Sequence, residues 1–270
     1  MDFQGMISTA TEHVQDADAL HLPFHIVIPM PTWIPGFTKY VFIELLAFAI
    51  ICAIFIPLAR RIATGGAPKG KFWNFFEVML VYLRDSVYRP ALGHGGDRYI
   101  PLLWTLFFFI LLCNLLGLVP WLGSPTASIA VTGALACFAF AAVLFSGFSH
   151  FGLVGFFRNL VPPMVGVPAI LKYMLVPLMF GIELISLLIK HVILAIRLLA
   201  NMFAGHLLLA VLLGFIGLVA GTWVLWIVVT PLSIAGQVAI MLLELFVAFL
   251  QAYVFTFLTA IFIGMASHSH

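Results

Sequence analysis

An all-α polytopic membrane protein is the fold class this sequence predicts: five membrane-crossing helices plus one interfacial amphipathic helix, the last two crossings long, strongly tilted and paired as an antiparallel hairpin. Three observations predict it. The 270 residues are 64% hydrophobic and 8% charged, with a mean hydropathy of +1.19, whereas a soluble domain is about 25% charged and could not cover its surface with so few charges. The apolar residues gather into runs close to or above the about 20 that a bilayer-spanning helix needs. Ten-residue segments of alternating polarity, the mark of a transmembrane barrel, are missing.

The elements follow in chain order. Residues 1–39 form an outside N-terminal segment in which Asp2, Glu12, Asp16 and Asp18 precede any Lys or Arg, the reverse of a signal or transit peptide. Residues 40–270 form a single membrane domain. Its first span covers about 40–58 and stops at Arg60 and Arg61; the second covers 99–119 and the third 129–148. Between the first two, residues 71–89 mix Phe72, Trp73, Phe75, Phe76, Met79, Leu80 and Leu83 with Lys71, Glu77, Arg84, Asp85 and Arg89. That mixture suits a helix lying in the interface plane. From Tyr173 the chain stays apolar to Ala266, broken only around 214–231, where Gly217, Gly221, Thr222 and Pro231 cluster. This gives spans at 173–216 and 231–266. As one helix, the stretch 173–213 is roughly 60 Å long at about 1.5 Å per residue, against a hydrocarbon core of about 30 Å. It must tilt beyond the usual range of about 0–40°, which requires a protein partner along one side.

Lys and Arg in short loops set the orientation. Arg60, Arg61, Lys69, Lys71, Arg84, Arg89 and Arg98 lie between the first two spans, and Arg158 and Lys172 follow the third; these loops are cytoplasmic. The N-terminus, the 120–128 loop and the 217–231 turn are then outside, and the C-terminus inside. The net charge of +2 says little about partners, but with no basic tract no nucleic-acid partner is expected. Cys52, Cys113 and Cys137 sit in separate apolar runs without disulfide or metal spacing, so they read as small buried side chains. No metal or cofactor is expected. His13, His21, His25 and the terminal residues 267–270 read as solvated tails.

The chemistry lies in the last two spans. After Lys172 the only formal charges are Glu183, Lys190, Arg197 and Glu244. A guanidinium does not deprotonate in a protein, and at mid-membrane depth it costs at least about 2.5–3.5 kcal/mol, so Arg197 faces a partner or a wet path. At about 100° per residue, Glu183, Ser186, Lys190, Arg197 and Asn201 share a stripe roughly 60° wide, with His206 roughly on the opposite side. Gln237, Glu244 and Gln251 repeat every seventh position and share a face. As an antiparallel pair, one register sets Arg197 against Gln251 and His206 against Glu244, with the turn centred near 222–225. The reading is two polar paths that do not meet: one from outside to His206 and Glu244, one from Arg197's level past Ser186 and Glu183 to the inside. His and a carboxylate in apolar surroundings can pass protons; Arg197 cannot, and acts as a fixed positive barrier. Lys190 reads as snorkelling to the inner headgroups, and His191 as interfacial or satisfied.

At these residues the chain resembles subunit a of the F-type rotary ATP synthase. Arg197-Leu198-Leu199-Ala200-Asn201-Met202-Phe203-Ala204-Gly205-His206 resembles that family's arginine motif, R-L-x-x-N-x-x-x-G, and Leu250-Gln251-Ala252-Tyr253-Val254-Phe255 its last-helix motif. Asn114-Leu115-Leu116-Gly117-Leu118-Val119-Pro120 and Pro125-Thr126-Ala127 resemble its second span and following loop. The resemblance covers roughly residue 71 to the C-terminus.

It implies a non-catalytic stator subunit in a bacterial plasma (inner) membrane. The implied partners are a ring of c-subunits, each with one membrane carboxylate, the peripheral-stalk b subunits, the rest of the ATP synthase complex, and lipid. Arg197 would keep the passing carboxylate ionised and block leak between half-channels. Asn201 and Gln251 would orient it, His206 and Glu244 would relay protons from outside, and Glu183 and Ser186 would line the inner path. The chain departs from many bacterial members, which carry a carboxylate where it has His206 and a histidine where it has Glu244; Ser128 stands where many members have a longer polar side chain, and Ile193 replaces a polar residue seen in some relatives. The residues alone also admit a stand-alone ion-coupled transporter, against which stands the lack of an inverted repeat. A haem or quinone enzyme using His191 and His206 lacks a facing histidine on the last helix.

Overall fold

The computed structural model describes residues 19–22, 26–29, 38–64, 70–93, 96–119, 122–159, 169–219 and 221–267. Asp2, Glu12, Asp16, Asp18, His13, His25, Lys69, Pro120 and residues 268–270, all used above, lie outside them. Helices make up the described residues apart from a hairpin of β1 (Ala19–Leu22) and β2 (Ile26–Pro29), antiparallel with His21 opposite Val27. The sequence reading did not foresee this hairpin, because two four-residue strands are too short to show a periodicity. The helices are α1 (Lys39–Ala63), α2 (Lys71–Tyr82), which runs through a π-helical stretch (Leu83–Tyr88) into α3 (Arg89–Leu92), then α4 (Ile100–Gly117), α5 (Ile129–Asn159), α6 (Ala169–Val219) and α7 (Trp223–Ser267).

Five stretches are long and apolar enough to cross a membrane: Lys39–Ala63, Gly96–Gly117, Ile129–Gly152, Met174–Val219 and Trp223–Ser267. The chain is a multi-pass membrane protein. In hydrocarbon every backbone N–H and C=O must be satisfied within the segment, so these runs stay helical through Pro57, Pro177 and Pro231. That principle corrects one boundary. The last helix begins at Trp223 rather than after Pro231, because a single lost hydrogen bond at a proline costs less than an unwound turn. The third span likewise continues past 148, bending at Gly152, whose φ of 67° lies in the left-handed region. The 46 residues of Met174–Val219 make a helix of about 69 Å at 1.5 Å per residue. It fits a core of about 30 Å only if it lies oblique.

The chain divides into two compact units, and α6 and α7 each contribute to both. The first comprises Met1–Ala67, Phe107–Thr132 and Arg197–Tyr253. Within it α6 and α7 run antiparallel. A Cβ on Gly205 would collide with the Glu244 carboxyl, and one on Gly236 would come within 3.3 Å of Leu212. Both pairings have their midpoint at 224–225, inside the first turn of α7. The end of α4 is bonded to α7 and to its own following loop. The Asn114 amide donates to the Ala248 carbonyl at 3.3 Å and accepts from the Thr126 hydroxyl at 2.7 Å, which lies 2.8 Å from the Ser124 hydroxyl. Gly117 leaves the room Ser124 occupies. The rings of Phe107 and Phe249 meet edge-on at 5.7 Å beside this network.

The second unit comprises Pro68–Leu106, Gly133–Ile196 and Val254–His270. The Tyr88 hydroxyl donates to Thr256 at 3.2 Å and the Trp104 indole to the Leu80 carbonyl at 3.2 Å. Gly264 lies against the Ala91 carbonyl, where no Cβ fits. At the exposed end of the interfacial segment, Asp85 pairs with Arg84 and Arg89, and Arg89 with Asp97, at 2.9–3.0 Å. The hydrogen bond from Arg84 is the largest influence holding Asp85 below the ordinary carboxylate range.

Candidate functional site

Arg197 lies on an exposed face of α6. Within the first unit, Arg197, Asn201, Ala204 and Leu208 recur at helical spacing and are all exposed, while Leu198, Met202 and Gly205 on the other side are buried. Among the described residues Arg197 makes no ion pair or hydrogen bond. Apart from Asn201, the exposed neighbours are apolar, Phe203 and Leu207 included. A permanent cation thus stands in a hydrophobic surface with a small residue, Ala204, two turns along.

His206 is half-buried on the same helix, and the Glu244 carboxyl reaches α6 from α7 at Gly205, next to His206 in sequence, with only 5% of its surface exposed. The point of closest approach is Gly205: any side chain there would occupy the place of the Glu244 Oε1. Glycine is therefore needed to admit the carboxyl against α6, which the helical wheel alone did not reveal. His206 Nε2 and Glu244 Oε2 are both buried and neither has a hydrogen-bond partner among the described residues, so the two residues are at matching depth without being bonded to each other through these atoms.

Gln251 is buried on the side of α7 that carries Ala248 and Ala252, toward the Asn114 network. It does not bond Arg197, whose side chain points out. Antiparallel register fixes the depth of both residues; the direction each points around its helix is set by packing. Asn201 is exposed beside Arg197.

In the second unit Glu183, Ser186 and Lys190 are each half-buried on α6. The Lys190 ammonium lies 5.7 Å from the centre of the Phe262 ring. His191 is buried between Phe140 and Phe262, its Nδ1 2.8 Å from the Leu187 carbonyl. That contact makes Nδ1 the protonated nitrogen.

Two residues of the first unit escaped the sequence reading. Lys39 opens α1 with 3% of its surface exposed. Just before a span it reads as an ordinary interfacial lysine, so nothing in the sequence marks it. Thr230 has a buried hydroxyl without a partner among the described residues. The seven-residue repeat of Gln237, Glu244 and Gln251, extended one step back, would have found it. Among the described residues no three His, Cys, Asp or Glu side chains gather to hold a metal ion.

A family model described as ATP synthase A chain matches residues 41–264 of the chain. The chain is similar to ATP synthase subunit a of Chloroherpeton thalassium, 38% identical over 265 residues, covering 95% of this chain and 76% of the relative. It is also similar to ATP synthase subunit a 2 of Chlorobaculum tepidum, 36% identical over 262 residues, with 97% and 71% covered. With ATP synthase subunit a of a Methylobacterium species the identity is 38% over 235 residues, with 86% and 88% covered.

Proposed function

The chain belongs to the ATP synthase A chain family, and from that premise we propose that it is the stator subunit that couples proton flow to rotation of a ring of c-subunits. It is a proton-translocating subunit of an ATP synthase. The observation that carries the finer reading is Arg197, an exposed cation that makes no ion pair among the described residues, on a helix face otherwise apolar but for Asn201. Such a charge is costly in lipid, and an acidic group on a partner seated along that face offsets the cost. The c-ring carboxylates supply that acid one at a time.

In this reading protons arrive from outside at His206 and Glu244, pass to a ring carboxylate, and after nearly a full turn of the ring leave past Ser186 and Glu183. Asn201 stands beside Arg197 at the ring surface, and Gln251 lines the helix behind it. The orientation follows the lysines and arginines: N-terminus outside, C-terminus cytoplasmic, in a bacterial inner membrane with the b subunits as further partners. Membrane potential contributes about 2.3 kcal/mol per charge per 100 mV.

The test is reconstitution with the catalytic head removed. Vesicles holding both this chain and the ring should conduct protons under a potential, and vesicles holding either alone should not. Conduction by the isolated chain would overturn the rotary reading in favour of a transporter.

Gly205→Ala isolates the Glu244 contact. Alanine is the strongest helix former, and the group it displaces is the tip of a flexible carboxylate rather than backbone. Assembly and ATP hydrolysis are therefore expected to persist while ATP-driven pumping falls on the order of tenfold, the loss that about 1.4 kcal/mol produces. Unchanged pumping would mean that the Glu244 position is not critical.

A further inference from the structure

We infer that the outer path reaches His206 and Glu244 along one face of α7, through water held by the Thr230 hydroxyl and the Gln237 amide. This rests on the reading of His206 and Glu244 as the end of the outer path, and adds its route.

Three observations carry it. Among the described residues six buried side-chain polar atoms lack a hydrogen-bond partner, and four of them are Thr230 Oγ1, Gln237 Nε2, Glu244 Oε2 and His206 Nε2. All four belong to the α6–α7 part of the first unit. Thr230, Gln237 and Glu244 recur every seventh residue, which keeps them on one side of a helix with a drift of only about 20° per step.

The hydroxyl of Thr230 is also unlike other helical threonines of this chain. Thr105, Thr132 and Thr259 each donate to the carbonyl four residues earlier, at 2.8–3.0 Å. That local bond is available to any helical threonine, and Thr230 does not make it. Leaving a buried hydroxyl or amide unsatisfied costs about 1–3 kcal/mol each, and a protein tolerates several in one line only where something else bonds them. Buried polar groups left without protein partners are the setting in which ordered water is held.

The spacing suits a file of water. Seven residues advance a helix by about 10 Å, a gap that about three waters bridge at hydrogen-bond steps of roughly 2.8 Å. Thr230 is the station nearest the α6–α7 turn, seven residues from the start of α7 at Trp223. Pro231 lacks the N–H that would bond the carbonyl of residue 227, which leaves one more acceptor near the mouth. The chain's own residues thus set out hydroxyl, amide and carboxylate in order of depth, with the groups that titrate only at the end.

Silver-ion reactivity of single cysteines in the whole complex tests this. In right-side-out vesicles with Cys52, Cys113 and Cys137 replaced by serine, Thr230→Cys, Gln237→Cys, Glu244→Cys and Val238→Cys are exposed to silver ions from outside. Thiols left unreacted are then counted by maleimide mass after unfolding. Thiolate forms in water and is suppressed in apolar surroundings, so cysteines at 230, 237 and 244 should react at least about tenfold faster than at the exposed apolar position 238. If 244 reacts while 230 and 237 are protected, the route is wrong and the outer path reaches Glu244 elsewhere. If none of the three reacts, the outer path itself falls. A second variant separates wetting from folding. Gln237→Leu, in an assembled complex stripped of its head, should slow passive proton conduction about tenfold or more, and Gln237→Asn should keep it, as removing a water's only bonding partner predicts. Wild-type conduction in Gln237→Leu would overturn the proposal.

Discussion

Arg197→Ala is expected to abolish ATP-driven proton pumping in a complex that still assembles, and Arg197→Lys is expected not to restore it. Among the described residues the side chain makes no bond, so its removal leaves none of their buried groups unpaired and should spare the fold. Its effect on a passing carboxylate is large. Two unit charges about 4 Å apart interact by about 4 kcal/mol at an effective dielectric of 20, equivalent to about three pKa units. A carboxylic acid that arrives protonated therefore releases its proton opposite Arg197 and cannot carry it through to the other path. Without the guanidinium the acid stays neutral, and the ring has nothing to stop at. Lysine supplies a charge, but a desolvated ammonium can give up its proton, which turns the barrier into a relay. Acidification of inverted vesicles by ATP, with passive leak recorded after the head is stripped, measures both effects. Pumping at the wild-type rate in Arg197→Ala would make Arg197 a structural residue and bring the transporter reading forward.

The contrast between what was legible in the sequence and what was not has a physical basis. Composition and run length gave the five crossings, because lipid accepts only segments that satisfy their own backbone. The α6–α7 register was legible because polar residues on both helices repeat with the helix period, and only one register lines them up. Side-chain direction was not. Gln251 and Arg197 are at matching depth, yet Gln251 turns to the Ala248 side of α7 and Arg197 turns outward, as packing against α4 dictates. The start of α7 was misplaced because proline is read as a breaker by rules formed in water. Gly205 was visible only as a motif letter. Its reason, a carboxylate occupying the space of its missing Cβ, exists only when two helices distant in sequence are brought together. Lys39 was hidden for the same reason.

Exchanging the acid and the imidazole provides the sharpest test of whether His206 and Glu244 act as one unit. His206→Glu leaves two carboxylates and Glu244→His leaves two imidazoles. Neighbouring like groups in an apolar site cannot both take their charged form, so each single variant blocks one protonation state that a relay must visit. Each is expected to lower pumping by about tenfold or more, while the double exchange restores one acid and one base and returns pumping to within about threefold of wild type. In a double-mutant cycle that is a coupling of more than about 1.4 kcal/mol, within the range measured for residues in contact. The geometry makes the recovery incomplete: a histidine at 244 must place a ring where a carboxyl now lies against Gly205, and the ring is bulkier. Pumping rates of the four proteins in the same vesicle preparation decide it. If the double variant is as impaired as the product of the two singles, the residues do not share a proton, and the approach of Glu244 to Gly205 is packing alone.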